Sequence, residues 1–226
     1  MANPLESLSF ESPFYALGGE VFDEVEAGSF KAPRLRFRND ALFEALGINP
    51  ADLSDEELTD AFGHFKPLKG VPHPPLAQRY IGHQFQTFNP HLGDGRGFTL
   101  AQVRGADGTL WDWGTKGSGQ TPWSRGGDGR LTLKGAVREI IAAEFLQAMG
   151  VKTSRALTVV EHTQDLWRGD EPSPTRAAIL VRMGEGHIRF GTFERVYYLE
   201  RDETLRREKM SQLLDHVVEV YYPELA

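Results

Sequence analysis

The chain has 226 residues, 40% hydrophobic and 25% charged, with 25 Lys and Arg against 32 Asp and Glu and a formal net charge of −7. That length supports one large domain or two small ones with a real core, and the acidic balance argues against a nucleic-acid partner, which needs a basic footprint. Without cysteine there is no disulfide framework and no thiolate metal site; with no basic-then-apolar leader and no apolar run near the ~20 residues that span a bilayer, the expectation is a cytoplasmic protein without a membrane partner.

The first 50 residues mix turn formers with short apolar runs. Leu42, Phe43 and Leu46 recur at helical spacing before Gly47, a C-cap residue. Ser54-Asp-Glu-Glu57 forms a capping-box pattern opening a short helix that closes near Gly63. Four prolines between Lys66 and Pro75 exclude a regular helix there. Residues 76–90 fit helix or loop equally well. From Phe98 the period changes to two: FTLAQVR, a GADG turn and TLWDWGTK read as a β-hairpin in which Trp111 and Trp113 share one buried face. Val137, Ile141, Phe145 and Ala148 then mark a helix from about Thr132 to Met149, ended by Gly150. ALTVVEH and TRAAILVRM read as two strands around a polar loop. A last helix runs from about Asp202 to Tyr221, with Met210, Leu214, Val217 and Tyr221 on one face. This order predicts an α+β fold, not a regular βαβ alternation.

The chemistry concentrates in KGSGQTPWSRGGDGR, residues 116–130, in which five of fifteen residues are Gly. Its closing Gly-Asp-Gly-Arg also occurs at 93–96, on the other side of the hairpin. Glycine lets backbone N–H groups approach a phosphate, and Arg offers a fork for phosphate oxygens. The two tetrads can therefore form two walls of one anion cradle; read singly, each is also an ordinary Asp-Gly turn. Neither segment has the Rossmann or Walker glycine spacing. Lys116 ends a predicted strand, and Glu139 lies 23 positions on in the next helix. A strand Lys held by a helix Glu is the device kinases use on nucleotide phosphates; the competing reading pairs Glu139 with Arg138 or with solvent. Lys134, in the first turn of that helix, reads as solvated. His83, His91, His162 and His187 are scattered without a zinc-site spacing, although His187 lies beside two arginines, and Arg168-Gly-Asp170 reads as an ordinary loop tip.

GHQF (82–85), LGDGRG (92–97), KGSGQTPWSRGGDGR (116–130), VRE (137–139) and RMGEGHIRFGTFE (182–194) resemble, in order, the motifs of the SelO/YdiU family, relatives of selenoprotein O. The resemblance runs through nearly the whole chain and is strongest from Tyr80 to Glu194. It departs at Gln86, Thr115, Trp123 (usually Tyr) and Gly184-Glu185-Gly186. The resemblance implies a protein-kinase-like N-lobe over 76–200, an antiparallel sheet with a helix carrying Glu139. An irregular, helical segment (1–75) would precede it, and the first helix of a C-lobe (201–226) would follow. It implies an enzyme that binds ATP in a flipped orientation and, with Mg or Mn, transfers AMP to Ser, Thr or Tyr hydroxyls of proteins. Gly93, Gly95 and Arg96 would contact the nucleotide. Lys116, oriented by Glu139, would hold phosphate. Asp128 and Gly129 would line the same site, and Arg182 and Arg189 would clasp phosphate. In the family the catalytic Asp and the metal-binding Asn and Asp lie further along. No H-G-V-x-N-x-D-N-like or D-Y-G-like motif occurs here, so the resemblance puts these groups beyond residue 226 and leaves this chain inactive by itself. Two other readings remain open: a conventional kinase-like phosphotransferase and a non-catalytic nucleotide-binding module.

Overall fold

A computed structural model describes residues 3–225. Strands β1 (Ser9–Glu11), β2 (Phe22–Glu24) and β3 (Arg34–Arg38) come first, followed by helices α1 (Asp40–Ala45) and α2 (Asp55–Phe62). Next are β4 (Leu76–Gln78), β5 (Gly82–Gln84), β6 (Thr87–Asn89), β7 (Thr99–Arg104), β8 (Leu110–Lys116) and β9 (Leu131–Thr132). Helix α3 (Leu133–Ala148) leads to β10 (Arg155–Leu166) and β11 (Thr175–Gly184), then α4 (Phe190–Leu199) and α5 (Glu203–Tyr221). The fold is mixed α and β around a nine-stranded sheet with the path β2-β4-β7-β8-β11-β10-β3; β1 joins β7 and β9 joins β11. The strand pairs described are antiparallel.

Local sequence chemistry builds the central elements. The β7–β8 turn closes through Gly105 N–H donating to Thr109 O (2.8 Å) and Thr109 N–H donating to Asp107 Oδ1 (2.9 Å). The predicted capping box forms, with Glu57 N–H donating to Ser54 Oγ and Ser54 N–H donating to Glu57 Oε2. In β10 and β11 the apolar runs are buried on both faces, because the sheet lies between two layers. Leu157, Val160, Val181, Met183 and Trp113 pack with Leu42, Phe43, Leu58 and Phe62 of α1 and α2. Ala156, Val159, Ala178 and Leu180 pack under Ala136 and Ile140 of α3.

The N-terminal segment differs from its irregular, helical expectation. It contributes β1, β2 and β3 to the main sheet, and α1 and α2 to the larger core. The ambiguous 76–90 stretch is β4, β5 and β6, and α4 has no counterpart in the sequence reading. The face of α5 also shifts: Leu213 is buried, whereas Leu214 is 53% exposed.

Helix α3 has the expected bounds, but its stripe points the other way. Val137, Ile141, Phe145 and Met149 are exposed, Ile141 at 65%. The inward face is Leu133, Ala136, Ile140 and Ala143, whose small alanines let the helix sit close to the sheet. The accessible surface, 12106 Å², exceeds the roughly 10,300 Å² expected of a compact monomer of this mass, as unpartnered faces would produce. Apolar stripes of this kind drive association. The double variant Ile141→Glu with Phe145→Glu is therefore expected to reduce self-association in sedimentation velocity while changing stability by less than about 1 kcal/mol. Unchanged association would show that another surface drives it.

Candidate functional site

The two Gly-Asp-Gly-Arg loops meet. Thr121 Oγ1 donates to Asp94 O (2.5 Å), and Ser124 Oγ donates to Gly95 O (2.6 Å), so hydroxyls of the second loop bind the backbone of the first. The Trp123 indole lies across Gly93, where a Cβ would stand 2.2 Å from Trp123 Cγ. Its Nε1–H donates to Asp23 (2.8 Å), which also pairs with Arg79. Within the second loop, Gly119 N–H donates to Gly129 O (3.1 Å). The tetrads are thus neighbouring walls of one cavity of about 770 Å³.

The sheet supplies the rest. Lys116 closes β8 opposite Leu180 of β11, and α3 brings Glu139 against it; Lys116 Nζ pairs with Glu139 Oε1. Glu139 pairs with Lys116, while its side chain keeps partial contact with solvent. Arg182 lies on β11 and Arg189 is the N-cap residue of α4, so strand and helix start present both guanidinium groups to the cavity. Arg189 lies 3.5 Å from Asp94 and 4.8 Å over the Tyr80 ring. Every sequence-predicted site residue except Glu139 lines this cavity; Glu139 stands behind Lys116.

The charges lining the cavity are mostly positive. Burial, with Arg96, Arg182 and Arg189 nearby, pushes the Lys116 ammonium down to about 8. Arg182 is also lowered, by burial and then by Arg189, and its Nε has no hydrogen-bond partner among the described residues. The counter-charge at the arginines is Asp94, whose carboxyl is pushed up by its burial. Cations crowded together at the expense of their own protonation favour a polyanion, which would relieve the repulsion.

Sequence reasoning missed several members. Asp94, inside the first tetrad, holds Arg189 and accepts from Gln78 N–H (3.2 Å). Arg168 is no idle loop tip: it pairs with Asp128 (2.8 Å) and lines the cavity. Arg130 stacks 4.3 Å over Phe30. Lys134 is 58% exposed and lies 3.6 Å from Glu171. His187 is enclosed between Ser154, Asp112 and the arginines; burial first, then Arg182 and Arg189, pushes it down to about 3, so it is neutral. Among the described residues no group of three or more His, Asp or Glu side chains could hold a metal ion. Nor is any described helix long and apolar enough to cross a membrane.

This geometry defines a class: a mixed α/β protein with an Arg- and Lys-lined, glycine-walled pocket. The chain belongs to the SelO family, whose model, described as protein adenylyltransferase SelO, matches residues 4–226. It is 54% identical over 226 residues to a protein nucleotidyltransferase YdiU of Synechocystis sp., covering all of this chain and 46% of the relative. It is 55% identical over 223 residues to the protein of that name from Synechococcus elongatus, covering 99% and 44%. With the one from Pseudomonas putida strain W619 it shares 40% over 220 residues, covering 97% and 43%. The chain therefore spans less than half the length of these relatives.

Proposed function

We propose that this chain is the ATP-binding portion of a protein adenylyltransferase. The observation that carries the reading is the convergence of Arg96, Lys116, Arg182 and Arg189 on one glycine-walled cavity, with Glu139 fixing Lys116. In this reading the absence of a Cβ at Gly93, Gly95 and Gly129 lets the loops pack closely enough for their backbone to line the nucleotide. Arg96, Lys116, Arg182 and Arg189 neutralise its phosphates, and Asp128 lines the rim, held by Arg168. Residues 76–200 act as a kinase-like N-lobe, buttressed by 1–75, and 201–226 begin a helical lobe. A Ser, Thr or Tyr hydroxyl oxygen of a protein would attack the α-phosphorus. The bond from that phosphorus to the bridging oxygen would break, and pyrophosphate would leave. The hydroxyl proton would pass to a carboxylate supplied, like the Mg or Mn ligands, by the length that the relatives have beyond this match. A cytoplasmic setting belongs to the same proposal.

The test separates binding from transfer. The 226-residue chain is expected to bind ATP in calorimetry yet to label no acceptor protein. A full-length protein carrying this segment should incorporate label from α-³²P-ATP and none from γ-³²P-ATP. Incorporation of γ-label would support a phosphotransferase instead. ATP binding without either label in the full-length protein would support a non-catalytic module, and absence of ATP binding would end the reading altogether.

A further inference from the structure

A second polar cluster lies behind the cavity, and no step of the reaction above uses it. Asp112, in the middle of β8, is 1% exposed. It is ringed by neutral donors. Gln102 Nε2 donates to Oδ1 (2.7 Å), His187 N–H donates to Oδ2 (2.8 Å), and the Tyr221 hydroxyl, at the end of α5, lies 3.1 Å from both oxygens. Gln102 has no freedom left: its other N–H donates to Tyr221 Oη (2.9 Å), and its Oε1 accepts from Phe14 N–H (2.8 Å). No Lys, Arg or His ion pair to Asp112 occurs among the described residues. A buried carboxylate without a cation is costly, and burial pushes Asp112 up to about 6. Three donors aimed at one carboxyl nevertheless favour its ionised form near neutrality.

The cluster holds one object, the loop between Arg182 and Arg189. His187 N–H is fixed by Asp112, and its imidazole Nε2 meets Ser154 Oγ (2.8 Å). Gly186, with φ +83°, leaves the Tyr221 ring 3.3 Å from where its Cβ would be. Tyr221 thus touches the loop twice, by its ring at Gly186 and by its hydroxyl through Asp112. The free Nε of Arg182 and the exposed head of Arg189 stand at the two ends of this span.

We infer that Tyr221 and Asp112 are positioning residues for the arginine pair: the end of α5 locks the 184–189 loop so that Arg182 and Arg189 face the same phosphates. The inference rests on the nucleotide reading above. It makes α5, distant in sequence from both glycine loops, part of phosphate selectivity.

The experiment compares ATP with adenosine. Tyr221→Phe keeps the ring on Gly186 and removes the hydroxyl. It is expected to weaken ATP about five-fold, the worth of one hydrogen bond, and to leave adenosine affinity unchanged. Asp112→Asn replaces one acceptor by a donor facing donors and should have a larger effect of the same kind; if it does not fold, Tyr221→Phe decides. Tyr222→Phe, at an exposed neighbour, should change neither ligand. Loss of ATP and adenosine affinity in equal proportion would mean a merely structural role and overturn the inference. So would an unchanged ratio in Tyr221→Phe when Lys116→Ala, measured alongside, does weaken ATP. If Lys116→Ala is itself silent, the nucleotide reading fails first and the inference falls with it.

Discussion

Replacing Lys116 by Ala is expected to weaken ATP binding about 10- to 150-fold, the range of a charge-assisted hydrogen bond of about 1.5–3 kcal/mol. Lys134→Ala should cost little. Lys116 is lodged between the sheet and Glu139 at the cavity wall, whereas Lys134 is 58% exposed, does not line that cavity and lies 3.6 Å from Glu171. Glu139→Gln keeps the shape and removes the charge that orients the ammonium, so it should be damaging but milder. The pH profile is a second signature. Free of ligand, the Lys116 ammonium is pushed down to about 8, by burial first and then by Arg96, Arg182 and Arg189. A bound phosphate reverses that balance and raises it, so ATP binding takes up a proton above that pH. Affinity should therefore fall as pH rises through about 8, and Lys116→Ala should lose this slope. Calorimetry on the three variants in buffers of different ionisation enthalpy measures both effects. A silent Glu139→Gln, or Lys134→Ala as harmful as Lys116→Ala, would mean that the pair is not the phosphate device.

Gly129→Ala should be the most destructive change in the second tetrad, costing about 3 kcal/mol or more and abolishing ATP binding. Two effects add. Gly129 has φ +68°, a left-handed conformation that costs other residues about 1–2 kcal/mol. A Cβ there would also stand 2.2 Å from the carbonyl carbon and oxygen of Gly119, backbone that cannot rotate away. Gly126 isolates the first effect. It has φ +79° with nothing within 4 Å of its Cβ position, so Gly126→Ala should cost only about 1 kcal/mol. Urea unfolding of both variants reads the difference directly. Equal losses would show that the second loop does not depend on its internal close contact between Gly129 and Gly119.

Periodicity and capping chemistry made several elements legible in the sequence. The β7–β8 hairpin, α3, the β10–β11 pair and α5 all have long, regular patterns, and Ser54 and Glu57 form their capping box from four consecutive residues. Most lining residues of the candidate site were legible because glycine, arginine and lysine chemistry clusters in two short loops that share a tetrad. The short N-terminal strands were not. β1 pairs with residues more than 90 positions away and β3 with β10, so their hydrogen bonds come from partners that local sequence does not name. Nor could the sequence choose between the two apolar stripes of α3, since both have helical spacing. The tertiary structure chose the one with small alanines, because only that face lets α3 lie close enough to the sheet for Glu139 to reach Lys116. The same holds for Arg168 and Tyr221. Each is an unremarkable residue until the fold brings it to Asp128 or to Asp112, and a charge or hydroxyl acquires its role only from the partner it meets.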